Sequence, residues 1–408
     1  MQTTAFNRVP LSPGLCLVIA ASLMGGAAAG QGSLYGPRMD YDLSQPSPKQ
    51  MARADFDRDG NLDIIVTCEG QNSGRVSVLY GDGASDFGTE VDLTAYLAWG
   101  LCVDDFDGDG WPDFAVTSSG WAQHGIGIVH NNHNRTFSNA SQVSSLGSPP
   151  VALASGDFDQ DGVVDLAVAS TGGGYSVDWF QGYGNGSFSA FHVVPYTLGL
   201  VGARLVAADL DGDGLTDLAL AHQGGVKILR NTGTTYDRFH PPIIGVQSTA
   251  QTIDLAVGDF DRDGVLDLVT AEAFSRFRVW RGVGGGDFAY IGAYPASGGI
   301  NDLELADLDG DGSLDVMLTN WAGIELFYQR GPGVFVGPVR VTSGLQPVAG
   351  IAGDWNNDGR LDLATACNNA AQDAYVSIHE HVPAPLGGTF PWGAGLGSGS
   401  TPTRHVRR

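Results

Sequence analysis

The sequence predicts an all-β fold made of repeated antiparallel units, and three observations support that prediction. The chain of 408 residues contains 60 glycines, a share typical of turn-rich β architecture. One acidic motif occurs seven times at nearly even start-to-start spacings of 47 to 52 residues. Each copy lies between two short β-prone runs, such as 64–67 after the first copy, so each acidic segment is expected to join two strands.

The repeated motif is Asp-x-Asp-x-Asp-Gly-x-x-Asp. Carboxylates at positions 1, 3 and 5 converge when the chain curls around a hard cation, and glycine at position 6 permits the sharp turn. Position 7 offers a backbone carbonyl, which explains its varied side chains, and position 9 closes the shell. Such an all-oxygen set in a flexible loop favours Ca²⁺ over zinc, copper or magnesium. The sequence therefore predicts about seven bound Ca²⁺ ions.

The predicted metal ligands define seven loops, numbered along the chain. They are Asp55, Asp57, Asp59, Asn61 and Asp63 in loop one; Asp105, Asp107, Asp109, Trp111 and Asp113 in loop two; Asp157, Asp159, Asp161, Val163 and Asp165 in loop three; Asp209, Asp211, Asp213, Leu215 and Asp217 in loop four; Asp259, Asp261, Asp263, Val265 and Asp267 in loop five; Asp307, Asp309, Asp311, Ser313 and Asp315 in loop six; and Asp354, Asn356, Asp358, Arg360 and Asp362 in loop seven.

The charge of the chain is concentrated in these loops. The formal net charge is −24, from 45 acidic and 21 basic residues, and the loops hold 27 of the carboxylates. Without those 27 the net charge would be +3. The acidity argues against a protein that binds nucleic acid or anionic membranes, whose surface would be basic. No internal apolar run approaches the roughly 18 residues that a membrane-spanning helix needs.

Each repeat is predicted to form four strands. An EF-hand is excluded because position 12 carries Val, Leu or Thr where an EF-hand needs a bidentate Glu. In the fifth repeat the predicted strands are 252–258, 266–271, 276–281 and 288–293. Four strands per unit, repeated radially, indicate a β-propeller. The apolar residue at position 2 is expected to pack between neighbouring blades; these residues are Phe56, Phe106, Phe158, Leu210, Phe260, Leu308 and Trp355.

The motif, its period and its count resemble the FG-GAP/VCBS repeats of the integrin α-subunit N-terminal propeller and of many secreted bacterial proteins. The resemblance covers about residues 33 to 382, and the departure within the loops is Asn356. It implies an all-β, seven-bladed β-propeller with a Ca²⁺-binding loop in each blade, and a role in binding or adhesion. The N-terminal segment, about 33–43, is predicted to supply the outer strand of blade seven.

The chain is predicted to contain three regions. Residues 1–30 read as a secretory signal peptide, with an apolar stretch at 14–24 and a small-residue cleavage site at 27–29, which predicts a secreted or cell-surface protein. Residues 31–382 form the propeller, and the Gly/Pro/Ser-rich residues 383–408 are expected to be a disordered tail. Cys68, Cys102 and Cys367 are an odd number of cysteines, so free buried thiols are expected and Cys68–Cys102 is the more plausible of the possible pairs.

Motifs of common hydrolases are absent from the sequence, which contains neither H-E-x-x-H nor G-x-S-x-G. No catalytic residue is predicted. Alternation along one strand predicts that His379 and His381 face outward. His124, His130 and His133 cluster in the second repeat without a clear third partner, so the sequence assigns them no role in metal or acid–base chemistry.

The leading hypothesis is a monomeric binding or adhesion module for a glycan or an extracellular protein. A polysaccharide-active lyase or hydrolase and a passive matrix component remain alternatives. The ligand is expected on the face opposite the metal loops, where the connections between strands vary in sequence. Its predicted contacts are Trp99, Trp121, His124, Tyr196, Phe274 and Trp321, with Tyr96, Tyr175 and His222 on the same connections.

Overall fold

The computed structural model describes residues 34–69, 74–95, 99–120, 123–138, 141–146, 148–171, 176–189, 192–193, 201–234, 238–239, 243–273, 275–368, 374–382 and 404–406. These residues form β-strands joined by turns and contain no helix. Accordingly, this part of the chain holds no apolar helix long enough to span a membrane. The prediction of an all-β fold is confirmed.

The strands group into seven units that follow the seven repeats. Two strands precede them, β1 (Leu34–Tyr35) and β2 (Met39–Leu43). Unit one contains β3 (Pro48–Ala54), β4 (Asp63–Cys68), β5 (Gly74–Gly81) and β6 (Phe87–Ala95); unit two β7 (Leu101–Asp104), β8 (Asp113–Gly120), β9 (Gln123–Val129) and β10 (Ser141–Leu146); unit three β11 (Pro150–Gly156), β12 (Asp165–Ser170), β13 (Ser176–Phe180) and β14 (His192–Val193).

Units four and five share one long strand. Unit four contains β15 (Val201–Ala208), β16 (Asp217–Leu229) and the first part of β17 (Ile243–Gly258), and unit five contains the rest of β17 with β18 (Asp267–Glu272), β19 (Arg276–Gly284) and β20 (Asp287–Pro295). Unit six contains β21 (Ile300–Ala306), β22 (Asp315–Asn320), β23 (Gly323–Gly331) and β24 (Val334–Val341); unit seven β25 (Pro347–Gly353), β26 (Asp362–Asn368) and β27 (Ala374–His379), followed by β28 (His381–Val382) and β29 (Arg404–Val406).

The seven units form a closed ring. Within each unit successive strands pair antiparallel. The first strands β3, β7, β11, β15, β17, β21 and β25 contact one another in chain order, and β25 contacts β3. The first strands therefore line the centre of the ring, which is the arrangement of a β-propeller. The seven loops, called the metal loops after their predicted ligands, each follow the first strand of a unit. All seven therefore lie on one face of the ring.

Apolar side chains at position 2 of each loop form the packing between units. Phe56 is fully buried, and its ring centroid lies 5.7 Å from that of Phe137 in unit two. Phe158 and Phe239 repeat this contact at 5.7 Å between units three and four. The position-2 side chains are all at most 3% exposed, which confirms that they pack between neighbouring units. Each loop is thereby anchored to the core of two units.

The first described strands belong to the last unit. β2 pairs antiparallel with β27, from Met39 opposite Ile378 to Leu43 opposite Ala374. β1 pairs with β28, and Tyr35 joins the apolar cluster that surrounds Leu308 of unit six. Unit seven is thus assembled from two distant parts of the chain. Within the predicted tail, β29 pairs in parallel with β2. The boundaries predicted at residues 30 and 383 lie outside the described residues.

Two expectations about single side chains have different outcomes. Cys68, Cys102 and Cys367 are buried free thiols, as expected. The prediction that His379 and His381 face outward is wrong, because they are 2% and 9% exposed. The ring of Tyr35 packs edge-on against His381, with ring centroids 5.4 Å apart. Burial lowers the pKa of His379 to about 4.

Tyr41 tests the closure of the ring. Its hydroxyl donates to the Ser85 carbonyl at 2.8 Å, and its ring packs edge-on against Phe87 of unit one at 5.3 Å. Tyr41→Ala is expected to reduce the free energy of unfolding by about 3–5 kcal/mol, as for other large buried aromatics. Tyr41→Phe keeps the packing and should lose only about 1 kcal/mol. Urea unfolding followed by tryptophan fluorescence measures both, and equal stability of Tyr41→Ala and wild type would contradict this closure.

Candidate metal-binding loops and the opposite pocket

The backbone of each loop is wound around its own carboxylates. In loop one the Asp59 N–H donates to Asp55 Oδ1 at 3.1 Å, and the Gly60 N–H donates to Asp55 Oδ2 at 3.0 Å. The Asn61 N–H donates to Asp59 Oδ1 at 2.9 Å. The bonds from positions 6 and 7 recur in all seven loops. Glycine at position 6 has φ between 83° and 92° throughout, a conformation that other residues rarely adopt.

The ninth aspartate of each loop is buried and links the loop to the end of the third strand. Asp63 Oδ2 accepts the Phe56 N–H at 2.7 Å, and its Oδ1 accepts the Gly81 N–H at 2.9 Å. All seven ninth aspartates are at most 1% exposed. A buried carboxylate needs such partners, because an unpaired buried charge is costly. This side chain therefore fixes the loop against the sheet.

The donor set fits a hard cation. Asp55, Asp57 and Asp63 each offer an oxygen, and the three oxygens lie within 4.8 Å of one another. Similar carboxylate groups occur in loops two, three and four. Asp105 Oδ1 and Asp307 Oδ1, at position 1 of loops two and six, are buried without a hydrogen-bond partner among the described residues. The loops can thus hold metal ions.

Burial in the loops raises the pKa of several of their carboxyl groups. In loops one and three to seven, burial and then the neighbouring aspartates raise the pKa of the ninth aspartate, while two backbone N–H groups oppose the shift. The pKa rises to about 7 for Asp63, Asp165, Asp217 and Asp362 and to about 8 for Asp315, and it is also raised for Asp267. A cation in the loop would favour the ionised forms, so protons and metal compete for the same oxygens.

A second layer of contacts, which sequence reasoning missed, surrounds the aspartate at position 3. Gln181 Nε2 donates to Asp159 Oδ2 at 2.6 Å in loop three. Arg230 and Arg281 occupy the equivalent position in units four and five. Arg230 Nε lies 3.8 Å from Asp211 Oδ2, and Arg281 Nη1 lies 3.9 Å from Asp261 Oδ2. These residues precede the backbone N–H that bonds the ninth aspartate, but the sequence separation from the loop differs between units. Because the spacing varies, the sequence alone did not show that Gln181, Arg230 and Arg281 are equivalent.

In loop two the equivalent residue is His130. Its Nδ1 lies 3.1 Å from Asp113 Oδ2 and 3.5 Å from Asp107 Oδ2. His133 contacts Asp109, and its ring stacks on Trp111 with centroids 4.6 Å apart. Two of the three histidines that the sequence left without a role therefore contact the carboxylates of loop two.

The face opposite the loops has a pocket on the ring axis, called the axial pocket. It has a volume of about 150 Å³, and residues at or near the starts of the first strands line it: Lys49, Gln50, Trp99, Val151, Arg204, Ile253, Asp254, Asn301, Asp302 and Val348. All seven units contribute, and unit two does so through Trp99, which lies two residues before the first residue of β7. The metal loops lie at the other ends of these strands.

Two exposed tryptophans flank the axial pocket. Trp99 is 43% exposed and carries the Lys49 ammonium over its ring, 5.3 Å from the centroid. Trp321 is 76% exposed, and its Nε1 donates to Asn301 Oδ1 at 3.0 Å. Asn301 is itself held by a bond from its Nδ2 to the Pro347 carbonyl at 2.6 Å. The structure thus brings two of the predicted ligand contacts to one opening.

An ion-pair cluster forms part of the pocket wall. Arg204 of unit four bonds Asp254 Oδ1 at 2.6 Å and Asp302 Oδ1 at 2.5 Å. Asp254 Oδ2 also accepts the Leu303 N–H, and Asp302 Oδ2 accepts the Gly350 N–H. The cluster therefore joins units four to seven around the axis.

The other predicted ligand contacts are distributed differently. His124 is half-buried at the start of β9, and its Nδ1 is buried without a hydrogen-bond partner in the described part of the protein. His222 is buried, at 8% exposure. The remaining predicted contacts, Tyr96, Trp121, Tyr175, Tyr196 and Phe274, lie outside the described residues.

Removing divalent cations is expected to lower the melting temperature by many degrees. A cation that binds only the folded state stabilises it by about 2.7 kcal/mol per site at a hundredfold excess over Kd. Calorimetry in EDTA, with metal content checked by elemental analysis, measures the effect. Asp209→Ala should cost more stability than Asp354→Ala, because loop seven already lacks a carboxylate at Asn356. An unchanged melt of metal-free protein would contradict a structural role for cations.

The metal-free protein is expected to become less stable as pH rises from about 4 to 7. Asp63, Asp165, Asp217 and Asp362 keep their protons up to about pH 7 in the fold, whereas in the unfolded chain they lose them near pH 4, so the folded state binds more protons in this window. Melting temperatures in chelator at pH 5 and pH 8 measure the trend. Asp63→Asn, which mimics the protonated side chain, should show a smaller decrease. A rising or flat profile in the wild type would refute the assignment.

Comparison with known proteins supports the same fold. Over 170 aligned residues the chain is 30% identical to a phosphatidylinositol-glycan-specific phospholipase D from Rattus norvegicus, a match that covers 33% of this chain and 20% of the phospholipase. The chain thus spans about a fifth of that relative's length.

Two solved structures share the architecture at low identity. BBS1N in complex with ARL6DN is 12% identical with a TM-score of 0.57, and 87% of this chain and 98% of that chain are covered. The periplasmic gluconolactonase PpgL of Pseudomonas aeruginosa is 15% identical with a TM-score of 0.53, and 72% of this chain and 85% of that chain are covered. The FG-GAP-like repeat family model matches residues 55–116, 105–168, 157–220, 209–270, 259–318 and 307–365. Because these matches cover well over half of the chain, the protein belongs to the FG-GAP-like repeat family and folds as a β-propeller of that family.

Proposed function

We propose that the protein is a secreted or surface-displayed, Ca²⁺-stabilised propeller that binds a glycan at the axial pocket. The observation that carries this proposal is the pair of exposed tryptophans, Trp99 and Trp321, beside a pocket on the face away from the metal loops. Large apolar side chains exposed to water often mark interaction sites. Aromatic side chains also stack well on sugar rings. The protein acts as a monomer in this proposal.

Calcium is the proposed cation for the seven loops. Their donors are carboxylates, one amide in loop seven and the carbonyl at position 7, an all-oxygen set that suits Ca²⁺. The flexible loop geometry disfavours Mg²⁺, which demands a stricter octahedron. The ions neutralise carboxylates that would otherwise repel one another. Their role is to hold the loops and the ring.

The axial pocket suits a single terminal group of a larger ligand. Its volume of about 150 Å³ is below the roughly 300–1,000 Å³ typical of pockets that enclose a whole small ligand. One sugar ring would enter the pocket while the neighbouring rings lie on Trp321. Asn301 and Gln50 offer amide groups, and Asp302 offers a carboxylate, for hydroxyl groups. A terminal residue of a glycan chain is therefore the proposed ligand class.

Secretion and the absence of nucleic-acid binding complete the proposal. The predicted signal peptide at residues 1–30 supports export, and extracellular calcium would keep the loops loaded. The net charge of −24 disfavours nucleic acid and anionic lipid as partners.

A polysaccharide-active enzyme is the second candidate, and one observation favours it. Asp254 and Asp302 both bind Arg204 in the pocket wall, and burial raises the pKa of Asp302. Paired carboxylates with separated pKa values serve as acid and base in glycoside chemistry. Both side chains also bind backbone N–H groups, which supports a structural role instead.

Glycan-array binding in Ca²⁺ buffer tests the proposal. Trp99→Ala and Trp321→Ala are each expected to weaken binding about tenfold or more, because stacking of a central aromatic contributes strongly to recognition. Tyr183→Ala is the matched control, since Tyr183 is 56% exposed but lies in a turn beside the metal loops. Circular dichroism verifies that each variant is folded.

Three other outcomes would redirect the assignment. Loss of binding in Tyr183→Ala, with both tryptophan variants unaffected, would place the ligand on the metal-loop face. Binding to a protein, with no signal on the glycan array, would replace the ligand class but keep the pocket. Release of reducing sugar that Asp302→Asn abolishes would establish the enzyme.

A further inference from the structure

Loop two differs from loops three, four and five by an imidazole beside its carboxylates. His130 directly follows β9, and its Nδ1 lies 3.1 Å from Asp113 Oδ2 and 3.5 Å from Asp107 Oδ2. The donor atoms of these three residues all lie within 4.8 Å of one another. A nitrogen from the residue after β9 thus lies close to two carboxylates of loop two.

We propose that loop two binds a borderline divalent cation of the Zn²⁺ class through His130 Nδ1, Asp107 and Asp113, in preference to Ca²⁺. Hard Ca²⁺ takes oxygen ligands, whereas imidazole suits zinc and its first-row neighbours. Three protein ligands of nitrogen and carboxylate type are a common set for such ions. The inference rests on the proposed role of the loops as cation sites and replaces Ca²⁺ in loop two alone, and it does not depend on the ligand of the axial pocket.

The neighbouring unit holds the imidazole in place. A Cβ at Gly186 of unit three would lie 2.2 Å from His130 Cε1 and 2.3 Å from Nε2, so the absence of a side chain there admits the ring. The Gly186 N–H donates to the Phe106 carbonyl of loop two at 3.0 Å, which fixes this turn against the loop. The His130 N–H donates to Ser138 Oγ at 2.9 Å. Ring orientation is therefore set by packing from two units.

A further oxygen of loop two lacks a partner. Asp105 Oδ1 is buried and makes no hydrogen bond within the described residues. Asp105 also forms a second carboxylate group with Asp107 and Asp109. This oxygen is available to complete the coordination of an ion held by His130. His133, in contrast, is engaged with Asp109 and Trp111.

The other units supply internal comparisons. Gln181, Arg230 and Arg281 occupy the position of His130 in units three, four and five. Glutamine offers a weak amide oxygen, and arginine has no lone pair for a metal. Loops three, four and five therefore keep oxygen-only donor sets. Selectivity for a borderline ion is expected in loop two and not in these three.

The test is Zn²⁺ titration of the full chain by calorimetry in saturating Ca²⁺. Wild type is expected to bind one Zn²⁺, and His130→Gln, which copies Gln181 of loop three, should bind it at least about tenfold more weakly. His133→Asn is the matched control and should bind Zn²⁺ like wild type. The melting temperature of each variant verifies its fold. Electron spin-echo spectra of wild type loaded with one Cu²⁺ should show modulation from an imidazole nitrogen, a readout that needs no variant.

Equal Zn²⁺ binding by wild type and His130→Gln would overturn the inference, as would complete exclusion of Zn²⁺ by Ca²⁺ or the absence of nitrogen modulation. One equivalent of Zn²⁺ on a protein whose melting temperature does not respond to Ca²⁺ would support this site while refuting the Ca²⁺ role of the other loops.

Discussion

The buried ninth carboxylate of each loop is the feature on which the rest of the structure depends. Asp63 and its six equivalents lie in the core, where each accepts backbone N–H bonds from the end of the third strand and, in six loops, from position 2. Burial raises the pKa of six of these carboxyl groups, Asp63 among them, while the backbone N–H bonds favour the ionised form. Folding and protonation are therefore linked at these six carboxyl groups, where the proposed cations would compete with protons.

Hydrogen bonds between neighbouring units connect each loop to the next unit of the ring. The carbonyl of position 2 accepts a hydrogen bond from the next unit in several places, as from Asn131 Nδ2 to Phe56 at 2.6 Å and from Gln329 Nε2 to Phe260 at 2.8 Å. Between the last and first units the Ser85 N–H donates to Trp355 at 3.0 Å. A loop that loses its order thus weakens two units and the interface between them.

The two faces of the ring have different physical roles. On one face, carboxylates, turn glycines and buried aromatics are fixed by the demands of each loop, so little freedom is left for recognition. On the opposite face, the connections have no common motif, and each unit contributes residues of its first strand, or of the segment just before it, to the axial pocket. A rigid ring with variable loops on one face is a common arrangement for ligand binding. Trp99 and Trp321 lie on connections of this face, which do not carry the acidic motif.

The sequence by itself determined the all-β class, the repeats, the positions of the acidic loops and the packing of position 2, since these follow from periodicity and from local turn chemistry. Tertiary structure alone decided which residues meet across units. The contact of His130 with Asp107 and Asp113 joins segments separated by a strand and a variable turn, and the burial of His379 and His381 depends on strands from residues 34–43. The axial pocket likewise exists only after ring closure, because its wall combines one or two residues from every unit, and no local pattern encodes such a meeting.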